Sequence, residues 1–104
     1  MIKTKDIKER IESDFGDSAF EVYKTFEDAF AKAEYLNHPR IIRCILFLTN
    51  KDLGKLKGNI EIATYDPRDI MLNAEYLYLG QDEQPRRVRD FNKTFDQAEE
   101  NVQE

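Results

Sequence analysis

The sequence predicts an all-α fold, a compact single-domain bundle of about five helices around a central apolar helix. Three observations carry that expectation. Apolar residues recur at three- and four-residue spacing along most of the chain. All three prolines open Pro-Arg segments that bring in a branched apolar residue, Pro39-Arg-Ile-Ile42, Pro67-Arg-Asp-Ile70 and Pro85-Arg-Arg-Val88, as a first helical turn would. Finally, seven of the eight residues of Ile41–Leu48 are apolar, in a chain that is 36% charged, which marks this stretch as the centre of the core. The alternative is an α+β fold with paired strands near 41–48 and 60–65.

The elements follow in order. Thr4–Asp14 places Ile7, Ile11 and Phe15 on one helical stripe, with Thr4 as N-cap, Asp6 in the first turn and Gly16 as terminator. Ser18-Ala-Phe-Glu21 has the spacing of a capping box. Behind it Val22, Tyr23, Phe26, Phe30, Ala33 and Leu36 predict a helix from Ser18 to Leu36, with charges alternating along its polar face. Asn37-His38-Pro39 closes that helix and opens the central one, Pro39–Leu48. Thr49-Asn-Lys-Asp52 is a second capping-box spacing, so Thr49 or Asn50 is expected to cap a helix carrying Leu53, Leu56, Ile60 and Ala63. Gly54 and Gly58 soften that helix and, lying four apart, leave one face open to a close neighbour.

Asp66-Pro67-Arg68-Asp69 is a helix start, and that helix should run to Leu77 before Gly80, with Gln81–Gln84 as a polar loop. From Pro85 onward Val88, Phe91, Phe95, Ala98 and Val102 repeat at a 3.5-residue average. Residues 85–102 are therefore either a docking helix or, because Asp90-Phe-Asn-Lys-Thr94 forms helix poorly, an extended arm anchored by Val88 and Phe91. Residues 1–95 make one globular domain, and 96–104 an acidic tail expected to fray.

Composition limits the function classes. A net charge of −5 works against nucleic-acid phosphates and anionic membranes. No apolar run approaches the roughly 20 residues that span a bilayer. The single cysteine precludes an internal disulfide, and the first residues lack a signal-peptide core, so a cytoplasmic protein is expected.

Candidate chemistry is sparse. His38 follows Glu34 by four residues, but one histidine makes neither a metal centre nor a Ser-His-Asp set, and a capping role is expected of it. Cys44 sits among isoleucines, where a thiol packs as a small hydrophobe. The glycines lack the Lys-Ser/Thr of a phosphate loop. The expectation is a non-enzymatic protein with no cofactor and no metal, serving as a protein-interaction or regulatory module. Its candidate surface is Arg86, Arg87, Val88, Arg89, Phe91 and Phe95, offered to a protein partner or to a second copy in a homodimer. One alternative is a helical nucleic-acid binder using Arg86, Arg87 and Arg89, opposed by the flanking Asp82, Glu83 and Asp90. The helix pair Lys51–Thr64 and Asp66–Leu77 has helix-turn-helix proportions, but its second helix opens on Asp66 and Asp69. Another alternative is a small-molecule binder or enzyme with a pocket between helices. The Pro-Arg starts also nominate Arg40, Arg68 and Arg86 as an anion site.

Overall fold

The computed structural model describes residues 2–77 and 85–100, with side chains through residue 98. Its helices are α1 (Lys5–Phe15), α2 (Ala19–Lys32), α3 (Pro39–Thr49), α4 (Leu53–Tyr65), α5 (Pro67–Glu75) and α6 (Phe95–Glu100). Two-residue strands β1 (Tyr76–Leu77) and β2 (Arg86–Arg87) pair antiparallel, Tyr76 opposite Arg87 and Leu77 opposite Arg86. The fold is mostly α. Residues 41–48 lie in α3 and 60–65 in α4, so the α+β alternative does not form.

α3 is the centre. Its buried residues run Ile41, Ile42, Arg43, Cys44, Ile45, Leu46 and Thr49, and it packs against α1, α4 and α5. Pro39 stands in the first turn, and His38 caps the helix by accepting from the Arg40 N–H at 3.2 Å through Nδ1. Thr49 ends it, donating to the Ile45 carbonyl at 2.7 Å and accepting from Asn59 of α4 at 3.1 Å.

Several boundaries differ from the sequence expectation, each for a local reason. α2 stops at Lys32: Ala33 leaves helical geometry, and a 3₁₀ turn at Glu34–Leu36 swings Leu36 into the core. The Tyr35 hydroxyl then donates to the Thr64 carbonyl near the end of α4. Ser18 makes no side-chain cap, because a 3₁₀ turn at Gly16–Ser18 leads straight into α2 and already pairs the Ala19 N–H with the Gly16 carbonyl. Thr4 likewise occupies the N-cap position of α1 without a side-chain bond. Neither Thr49 nor Asn50 caps α4. Asn50 and Lys51 are both left-handed (φ 48° and 66°), so helical geometry restarts after Asp52, whose carboxylate accepts from the Gly54 N–H at 2.9 Å. Asp66 and Pro67 start α5 as expected, the Asp66 carboxylate accepting from the Arg68 N–H at 3.1 Å.

The largest correction concerns the third Pro-Arg segment. Pro85 opens no helix; the chain enters β2 and stays irregular to Thr94. Residues 85–94 therefore take the arm form, and the short α6 follows within the same nominated stretch. The expected tail boundary at 96 falls inside α6, whose Ala98 is buried against the core. Gly80, the Gln81–Gln84 loop and residues 101–104 with Val102 lie outside the described residues.

Candidate functional site

The polar centre of the molecule is built by α3 and the arm. Arg40 and Arg43, three residues apart on α3, each grip a carboxylate from another helix. Arg40 reaches Glu75, the last residue of α5, with Nη2 at 2.6 Å from Oε1 and Nε at 3.1 Å from Oε2. Arg43 reaches Asp6 in the first turn of α1, with Nη2 and Nε each at 2.9 Å from separate oxygens. Both pairs have the bidentate fork geometry that makes arginine–carboxylate contacts strong and directional.

Each carboxylate then takes hold of the arm. Glu75 accepts from the Phe91 N–H at 2.9 Å and from Arg87 Nη2 at 3.2 Å. Asp6 accepts from the Phe95 N–H at 3.0 Å, and Arg43 Nη1 donates to the Phe91 carbonyl at 3.0 Å. The arm returns the arrangement by closing the end of α5. The Glu75 carbonyl accepts from the Val88 and Arg89 N–H groups at 2.8 and 3.2 Å, and the Ala74 carbonyl accepts from Arg89 Nη1 at 3.2 Å. These carbonyls belong to the last turn of a helix, which has no intrahelical donors for them.

An aromatic row runs beside these clamps. Phe47, Phe91 and Phe95 stand in sequence with centroids 5.3 and 5.8 Å apart. Arg89 covers the Phe47 end and Arg10 the Phe95 end, each with its guanidinium carbon 4.4 Å from the ring centre. Cations on ring faces at this distance are attracted by the ring quadrupole.

The electrostatics follow from this placement. Burial alone would raise the Asp6 pKa, but the Arg43 hydrogen bonds, the Phe95 N–H and the Arg43 charge together hold it below its ordinary value. Hydrogen bonding to Glu75 makes Arg40 harder to deprotonate than usual. Burial would also raise Asp90, yet the backbone and side chain of Asn92 and the charge of Arg87 bring it down. Burial pushes the Cys44 thiol far up, and the Glu75 charge adds to it, so the thiol is an inert packing group. At the edge of α1, partial burial and then hydrogen bonding to Glu12 push Tyr23 up to about 12.

The residues nominated from sequence separate into two sets. Arg87, Val88, Arg89, Phe91 and Phe95 do come together, but on the chain's own core: Val88, Phe91 and Phe95 are buried, and the two arginines are engaged. Arg86 and Arg87 both stay exposed, Arg87 while bonded to Glu75 and Asp90. Of the nominated anion site, Arg40 is committed to Glu75, while Arg68 is 85% exposed beside Asp66 at 3.5 Å. Sequence reasoning missed Glu75, Asp6 and Arg43. Two signals pointed to them. Arg43 is a cation inside an apolar run, which must be paired if that run is buried. Glu75 ends a helix, where the dipole disfavours an acid and a cationic partner is needed.

The arrangement fastens α1, α3, α5 and the arm to one another. Both Glu75 oxygens are taken by donors, and no buried side-chain nitrogen or oxygen among the described residues lacks a partner. Among the described residues no group of three or more His, Cys, Asp or Glu side chains gathers as a metal site. A cleft of about 450 Å³ among the described residues is an open groove between α2 and α4 lined by charges of both signs, Lys24, Lys32 and Lys57 with Glu21, Asp28 and Glu61. No helix among the described residues is long and apolar enough to cross a membrane. Comparison with protein-family models, curated proteins and solved structures finds no match for this chain.

Proposed function

We propose that the protein is a non-enzymatic protein-interaction module that offers the outer face of α4 to a protein partner in the cytoplasm. One observation carries this: α4 is apolar on two faces. Leu56, Ile60 and Ala63 are buried, whereas Ile62 and Tyr65 on the opposite side are 41% and 84% exposed. A helix that only covered a core would be polar on its outer side. The arm, nominated from sequence as the docking face, supports this less well, since its apolar side chains are already buried. A nucleic-acid role also has less support, because Arg87 and Arg89 are held within the chain.

The test compares the wild type with an Ile62→Asp/Tyr65→Asp variant. Both positions are exposed, so the variant should keep its helical circular dichroism and melt close to the wild type. It should lose the partner, or the self-association, that the wild type shows in cross-linking and sedimentation. A wild type that stays monomeric and captures the same material as the variant would remove the proposal.

A further inference from the structure

The outer face of α4 carries its side chains in a self-complementary order. Gly54, Gly58, Ile62 and Tyr65 follow one another at helical spacing along that face, and all four are exposed. Within α4 charge changes sign along the helix: Lys55 and Lys57 occupy the first half and Glu61 the second, with Asp52 before it and Asp66, Arg68 and Asp69 after it. Lys55, Lys57 and Glu61 are exposed, and Lys57 and Glu61 make no ion pair with each other across their i, i+4 spacing. Gly58 is unexplained by the fold itself. A Cβ added there would meet nothing within 4 Å, and glycine inside a helix is destabilising relative to alanine.

We infer that α4 pairs antiparallel with α4 of a second copy across a two-fold axis near Gly58. This deepens the proposed function by naming its partner, and it rests on the same exposed face. Two-fold pairing of this kind puts a surface patch against itself with its direction reversed. The basic half of each helix then lies along the acidic half of the other. Lys57 and Glu61 share the flank that lines the α2–α4 groove, and reversal brings Lys57 of one copy beside Glu61 of the other, twice. On the opposite flank Ile62 packs on the aliphatic stem of the other copy's Lys55. At the axis the two Gly58 positions meet without side chains, so the backbones approach closely and more of Ile62 and Tyr65 is covered.

Sedimentation velocity over a concentration series tests this, using the full chain. The wild type should show a concentration-dependent monomer–dimer equilibrium. Gly58→Ala should raise the melting temperature of dilute monomer and yet weaken the dimer, and Gly58→Leu should abolish it with the helical spectrum intact. Lys57→Glu should weaken association at least several-fold, and Lys57→Glu/Glu61→Lys should restore it. A wild type that is monomeric at every concentration overturns the pairing, as does a dimer that survives Gly58→Leu. If the wild type is monomeric and a different protein is lost on Ile62→Asp/Tyr65→Asp, self-pairing falls while the interaction module stands.

Discussion

Asp6 shows how much one side chain is asked to do. Its two oxygens receive three donors, two from Arg43 of α3 and one from the Phe95 N–H, so it ties three segments together at once. Its folded pKa lies below the ordinary value of 3.8. A carboxylate depressed in the folded state adds stability that is full above its unfolded pKa and disappears as pH falls through the folded one. Between neutrality and about pH 4 the contribution should be constant, and below that it should decay. Asp6→Asn removes the charge permanently, so its melting temperature should lie below the wild type at neutral pH and converge with it in acid. Thermal melts of both proteins from neutral pH to below pH 3 test this, and a gap that stays constant with pH would refute it. Residue-scale chemistry of this kind was only half legible. Arg43 announced in the sequence that it needed an anion, but Asp6, 37 positions away, read as an ordinary first-turn acid favoured by the dipole.

Among the elements, the arm depends most on long-range contacts. Residues 85–94 form no helix; the Val88 and Arg89 N–H groups donate to the Glu75 carbonyl, the Phe91 N–H donates to the Glu75 carboxylate, and the Phe91 carbonyl accepts from Arg43. Glu75→Gln should therefore act on the arm first. It leaves Arg40 without its counter-charge beside a buried site and Arg87 with Asp90 alone, at a cost of about 3 kcal/mol. Hydrogen exchange should quicken at the Val88, Arg89 and Phe91 amides before the α3 amides respond, because the α3 ladder is internal to that helix. An unchanged melt, or exchange that quickens uniformly, would show that Glu75 does not fasten the arm. The elements also mark where local patterns suffice. Asp66-Pro67 and His38-Pro39 start helices as their chemistry demands, whereas Pro85-Arg-Arg has the same form and starts none. Its following residues, Asp90 to Thr94, are poor helix formers, and pairing with Tyr76–Leu77 offers the backbone another partner.

At the scale of the whole molecule, stability is concentrated in α3 and what encloses it. Ile45 is 1% exposed at the middle of that helix. Ile45→Asp would bury a carboxylate with no cation placed to meet it, an error that exceeds about 4 kcal/mol in a protein whose total stability is of order 5–15. The variant should lack a cooperative thermal transition, and a near-wild-type melt would displace α3 from the centre of the core. The polar clamps are arranged around the same helix. Arg40 and Arg43 connect it outward to α5, α1 and the arm, so the core and the ionic framework share one origin.

The sequence by itself determined the helical class, the central place of 39–48, the proline-led starts of α3 and α5 and the packing role of Cys44. These depend on periodicity, capping and burial within a few residues, and neighbours in sequence favoured them over the strand alternative that the structure then removed. Tertiary structure alone decided the end of α2, the cap of α4, the path of 85–94 and the pairing of Arg40 with Glu75 and Arg43 with Asp6. The partners in those pairs lie 35 and 37 positions apart, and no local pattern says which acid a buried arginine will find. The arm's apolar seam, legible as a row of anchors, docks on its own domain for the same reason: spacing reports that a face must be covered, and only the packed fold shows by what.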